Sequence, residues 1–205
     1  MNDSVGVSVR KSALLFAIFV LFAVGAQGQE GDFAFGVGTV TAPSAGNASG
    51  DHFPQSITGG TYLSFSGDYL FAHHFGFGAE VSWRASRNNY LGTFPFRPIF
   101  YDFNGVYAPP LGKRAALDLQ AGIGAESVRF YQNFLNCSAF TGTCTNYTSS
   151  NHFMGHFAAG VKLYPVGHFF VRPEAHLYLV RNNFEFSSAR VTRFDVSIGY
   201  TFGGQ

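Results

Sequence analysis

The chain has 205 residues, of which 12% are charged and 18% aromatic, with 25 glycines, 25 phenylalanines and a formal net charge of +1. Basic residues that are few and scattered argue against nucleic acid as a partner, and a mean hydropathy of +0.08 is too low for a bundle of transmembrane helices. Few charges with many glycines and aromatics suit strands that meet lipid on one side.

Arg10 and Lys11 precede an apolar run, Ala13 to Val24, followed by Gly25-Ala26-Gln27-Gly28. A basic start, a short apolar stretch and small residues before a cut predict a secretory signal over residues 1–28. The run falls short of the ~20 residues a helical span needs. One domain, residues 29–205, then remains. The absence of a cysteine at the cut argues against a lipid anchor.

Successive side chains of a strand point to opposite faces, and that alternation recurs along the chain. Phe33, Phe35, Val37 and Thr39 share one parity against Ala34, Gly36, Gly38 and Val40. A polar loop is expected over Pro43 to Pro54. Leu63, Phe65, Gly67, Tyr69 and Phe71 mark a second strand, turned at Ala72-His73-His74. The third sets Phe75, Phe77, Ala79, Val81 and Trp83 against Gly76, Gly78, Glu80, Ser82 and Arg84. A fourth carries Ile99, Tyr101, Phe103 and Tyr107 and turns at Pro109-Pro110-Leu111-Gly112. A fifth carries Leu117, Leu119, Ala121, Ile123 and Ala125. From Ser127 the parity blurs, because Val128 and Phe130 fall on the polar side, and the strand is expected to leave the membrane there. The longest loop is placed at Asn133 to Asn151. A sixth strand carries Phe153, Phe157, Ala159, Val161 and Leu163, and a seventh Val171, Ala175, Leu177 and Leu179. The last sets Phe194, Val196, Ile198, Tyr200 and Phe202 against Asp195, Ser197, Gly199 and Thr201.

Connections after the second, fourth and sixth strands are tight, and the others are longer and polar. That order predicts an all-β fold, an eight-stranded antiparallel up-and-down transmembrane β-barrel, with its greasy face toward lipid. The pattern resembles the small OmpA-type and OmpX-type outer-membrane barrels over nearly all of residues 29–205. The resemblance implies location in the outer membrane, outer-membrane lipid as surroundings, and no cofactor. It also implies that Ile198, Tyr200 and Phe202 form the signal read by the barrel-insertion machinery. Such proteins usually stop on the aromatic, whereas this chain continues with Gly203-Gly204-Gln205. No peptidoglycan-binding domain is expected after the barrel.

Parity sends Asp68, Glu80, Arg84, Asp102, Asp118, Glu126, Lys162, Arg172, Glu174 and Asp195 inward, with His156 and His176. Unpaired charges in a narrow interior are costly, so these groups should pair or meet water. A plugged polar core is the expected reading, and a narrow ion path is the alternative. Cys137 and Cys144, seven residues apart in an exported chain, are expected to form a disulfide. The pieces Gly36-Val37-Gly38, Gly76-Phe77-Gly78 and Gly122-Ile123-Gly124 lack the full dinucleotide fingerprint and read as strand glycines. His73-His74 reads as a solvated turn rather than a metal site. Some outer-membrane enzymes with this architecture modify lipid A through a Ser and a His, but no His-x-Ser pairing of that kind occurs here. The functional expectation is therefore a non-catalytic barrel, structural or binding an extracellular ligand through its loops. A pore and a lipid A-modifying enzyme are the alternatives.

Overall fold

The computed structural model describes residues 30–43, 56–72, 74–137, 142–182, 185–186 and 189–203. The expected signal segment, most of the expected loop from Pro43 to Pro54, and His73 lie outside the described residues. The alternating stretches form β1 (Glu30–Thr41), β2 (Tyr62–Ala72), β3 (Phe75–Arg84), β4 (Phe94–Tyr107), β5 (Ala115–Cys137), β6 (Cys144–Val166), β7 (Phe169–Val180) and β8 (Arg190–Gly203). Two three-residue strands, Asn88–Tyr90 and Pro110–Gly112, extend β4 and β5 as small antiparallel additions.

Every strand pairs antiparallel with its sequence neighbour. β1 also pairs with β8, from Glu30 opposite Gly203 to Thr41 opposite Thr192. The ring of eight is thereby closed, and no long strand is left as an edge. The tight turns after β2, β4 and β6 lie at the same end as the start of β1 and the end of β8.

The outer wall carries Phe33, Phe35, Phe77, Phe103, Ile123, Phe153 and Ile198, all exposed, while Asp68, Glu80, Asp118, Arg172 and Asp195 are buried. A soluble sandwich would show the reverse. Glycines let the wall bend where backbones crowd. A Cβ at Gly124 would run directly into the Tyr101 carbonyl oxygen of β4, and one at Gly122 into that of Phe103.

The outer hairpin differs from the sequence expectation. β5 runs on past Ser127 to Cys137, and most of the stretch Asn133 to Asn151, expected as a loop, is strand. Pairing continues from Val128 opposite Ser150 to Tyr131 opposite Tyr147, then from Asn136 opposite Thr145 to Cys137 opposite Cys144. The physical reason lies in the lumen. Val128 keeps the inward parity but enters an apolar section of the interior, where it is fully buried. The blurred parity beyond Ser127 is thus a change in what the inner face carries, and the strand continues through it. Between Tyr131 and Asn136 the ladder breaks in a bulge.

Candidate functional site

The interior is polar over most of its height and apolar beneath the loops. At the turn end, Lys162 on β6 bonds Asp32 on β1 and lies 3.4 Å from Asp118 and 3.6 Å from Asp68. Above it, the Arg172 guanidinium on β7 reaches β2, β5 and, through Ser197, β8. It donates to Asp118 at 2.7 Å, to Asp68 at 3.2 Å and to Ser66 at 2.9 Å, and its Nε lies 3.0 Å from Glu174. One planar fork thus satisfies three carboxylates, which a point charge could not do with the same geometry.

The next level centres on Arg193 of β8. Its guanidinium bonds Glu80 and lies 3.3 Å from Asp195. His176 Nε2 is 3.1 Å from Asp195, and its Nδ1 is 3.0 Å from His156 Nε2. His156 Nδ1 in turn lies 2.8 Å from Asn104 and 3.2 Å from Asp102. Glu80, Glu174 and His176 bring potential ligand atoms within 4.8 Å of one another. Arg193 already supplies a positive charge among them, so this cluster reads as an ion-pair node rather than a metal cage.

Toward the loops the polar layer gives way to rings. Tyr178 stacks on His156 at 4.8 Å and on Phe100 at 4.9 Å. Above them Val40, Ile57, Phe96, Met154, Val180 and Phe186 pack into an apolar cluster that caps the interior. Phe186 comes from the β7–β8 connection and sits 5.1 Å from Phe96.

All ten charged residues assigned inward by parity are buried in the structure. Eight lie in or beside the network. Two stand higher: Glu126, opposite Phe100 on β4 and His152 on β6, and Arg84, opposite Tyr62 on β2. Two members escaped the sequence reading, Asp32 and Arg193, each near the end of an alternating run. Counting parity one step further along β1 and β8 would have found both.

The structure also joins three residues the sequence left apart. Ser150 bonds Glu185, and His152 Nε2 lies 3.1 Å from the Ser150 hydroxyl and 3.0 Å from Glu185. The order is Ser-x-His, the reverse of the pairing sought in the sequence. Both contacts fall on the same imidazole nitrogen, whereas a relay needs the base on one nitrogen and the carboxylate on the other. The trio therefore clamps the β7–β8 connection onto β6. Tyr90 joins it by donating from its hydroxyl to the Glu185 carbonyl at 3.0 Å. Partial burial and then the Glu185 charge push the Tyr90 phenol above its ordinary pKa.

Outside the barrel, Cys137 and Cys144 form a disulfide across the hairpin tip, with Cα atoms 4.0 Å apart. Phe134 and Leu135 in the bulge are 64% and 68% exposed. Phe140, between the two cysteines, lies outside the described residues. Ile198 and Phe202 of the last strand are exposed on the outer wall beside the half-buried Tyr200.

A closed ring with an apolar exterior, a charged interior and tight turns at one end defines an integral transmembrane β-barrel. Residues 14–202 match the family described as the outer membrane protein beta-barrel domain, and the chain belongs to that family. It is a protein of the outer membrane. No curated protein matches it in sequence. Among solved structures it is similar to Neisserial surface protein A, with 8% identity and a TM-score of 0.58 over 86% of this chain and 99% of that one. It is also similar to Ail, the attachment invasion locus protein of Yersinia pestis, in complex with the heparin analogue sucrose octasulfate. There the identity is 13% and the TM-score 0.55, over 86% and 100% of the two chains. The N-terminal β-barrel domain of Pseudomonas aeruginosa OprF follows, with 11% identity and a TM-score of 0.51 over 86% and 99%. At these identities the likeness is one of fold.

Proposed function

We propose that this protein is a non-conducting, non-catalytic barrel of the outer membrane that presents its disulfide-tipped β5–β6 hairpin to partners outside the cell. The filled interior carries the first half of this reading. Lys162, Arg172 and Arg193 knit the lumen walls together, and the cluster around Phe96 and Phe186 caps them. A hydrated ion has no continuous polar path through both layers. Planar-bilayer recordings of the purified barrel are expected to stay silent, and discrete, reproducible openings would overturn this half.

The second half rests on the hairpin, where the exposed Phe134 and Leu135 are held between the disulfide and the Tyr131–Tyr147 pair. Surface binding that is unchanged in a C137S/C144S variant would count against it. The non-catalytic reading rests on the His152 geometry. Lipid A mass spectra should be identical with and without the gene. For biogenesis, we assign Ile198, Tyr200 and Phe202 to recognition by the insertion machinery. Phe202→Ala is expected to slow insertion without changing the inserted barrel's heat-dependent mobility.

A further inference from the structure

The net charge of +1 conceals a separation of sign. Among the described residues, nine of the ten acidic side chains are buried, and the tenth, Glu30, lies at the turn end. Arg87, Arg97, Arg129, Arg181 and Arg190, by contrast, stand at the hairpin end and outside the buried network. No acidic side chain among the described residues is exposed there.

Three of these arginines gather on the outer wall. Arg97 on β4 lies directly opposite Arg129 on β5 in the ladder. Both share the outward parity of Ile99 and Tyr101, while their neighbours Phe96 and Val128 are buried inside. Cβ atoms in such pairs stand ~5 Å apart, and like charges there destabilise the sheet. No carboxylate among the described residues is paired with either. The Nε atoms of both are buried without a hydrogen-bond partner, although Arg97 also donates to the Ala85 carbonyl at 3.0 Å. Arg129 lies 4.8 Å from the centre of the Tyr147 ring, and Arg87 lies 3.6 Å from that of Tyr131. Tyr131 and Tyr147 are themselves opposite one another. The result is a patch of three guanidinium groups walled by two phenol rings.

Its height identifies the ligand. Trp83 and Ile99 face each other near the upper limit of the apolar belt. Arg97 is two residues beyond Ile99, about 7 Å further along the strand. That is the level of lipid headgroups, and paired guanidinium forks suit phosphate oxygens. We propose that Arg87, Arg97 and Arg129 bind a phosphate of a phosphorylated glycolipid in the outer leaflet. A phosphate between Arg97 and Arg129 turns their mutual repulsion into two attractive contacts.

The test uses the full barrel in detergent, mixed with bisphosphorylated lipid A and read by native mass spectrometry. Wild type is expected to retain one lipid. Arg97→Ala/Arg129→Ala should weaken retention at least about tenfold, the scale of one charged hydrogen bond. Arg181→Ala/Arg190→Ala should retain it. A heat-dependent mobility shift verifies folding in each case. Should the double alanine variant fail to fold, Arg97→Lys/Arg129→Lys serves instead, with an intermediate loss expected because the charge stays and the fork goes. Equal retention by the patch variants, or equal retention of dephosphorylated lipid, would overturn the proposal. So would full competition by millimolar inorganic phosphate, or a preference for soluble heparin fragments, since either would place the ligand outside the lipid. Failure of hairpin-directed surface binding leaves this inference intact, because the readouts are separate.

Discussion

Arg172→Met is the substitution that strikes the interior hardest while keeping its bulk. The guanidinium is fully buried and lies within 3.2 Å of Asp68, Asp118 and Glu174, each on a different strand except Glu174 on its own. Lys162 remains 3.4 Å from Asp118 and 3.6 Å from Asp68, so those two keep part of their compensation. Glu174 keeps His176 at 3.5 Å and Ser197 at 3.0 Å. Breaking a buried pair by removing one partner costs ~3–5 kcal/mol. For a chain of this size each kcal/mol moves an unfolding midpoint by roughly 2–4 °C. The temperature at which the unboiled band converts to the boiled one should therefore fall by about 6–20 °C. Adding Asp118→Asn to Arg172→Met should recover part of the loss, since it removes one orphaned charge. Arg172→Lys should fall between, because it keeps the charge but serves fewer carboxylates. A midpoint within experimental scatter of wild type for Arg172→Met would refute the reasoning. It would mean that water, not Arg172, solvates these carboxylates.

Gly124→Val should lower refolding yield sharply and more than Gly105→Val, because a Cβ at Gly124 meets the Tyr101 carbonyl directly while one at Gly105 meets nothing closer than 3.7 Å. Refolding monitored by band shift checks this. Phe96→Ala/Phe186→Ala should lower the conversion temperature, since each buried Phe→Ala typically costs ~3–5 kcal/mol, yet bilayers should remain silent because the ion-pair layers below the cap persist. Reducing Cys137–Cys144 should expose the hairpin to protease while leaving the conversion temperature within about 2 °C, because the tip opens as a local unit beyond the barrel. A large drop on reduction would show that the hairpin and barrel unfold together.

The barrel was legible because lipid on one side and a packed lumen on the other impose period two on every strand. Phe33 to Thr39 and Phe194 to Phe202 display it without interruption. The charged interior was legible for the same reason, down to Lys162 and Arg172. Which acid meets which base was not, because partners such as Asp32 and Lys162 lie 130 residues apart and meet only when the ring closes. The parity blurs beyond Ser127 because Val128 and Phe130 turn apolar side chains toward an apolar cap that only the assembled fold creates, and the polar stretch from Asn133 to Asn151 reads as loop although most of it pairs as strand. The approach of Glu185 to Ser150 and His152 depends on how the β7–β8 connection folds over the mouth, and no local spacing encodes it.

The ladder between β1 and β8 also sets the order of events during assembly. Seven of the eight ladders in the ring join strands adjacent in sequence, and each can zip as a local hairpin. The eighth joins Glu30 to Gly203 and must await the whole intervening chain. Its pairing is the least local in the molecule, and non-local pairing is slow. Until β8 docks, β1 and the free side of the growing sheet offer bare backbone groups to any passing strand. Ring closure is therefore a deadline as well as a shape. The interval before it is when the chain is exposed to mispairing, and a chaperone that masked β1 would shorten the risk without touching the finished barrel.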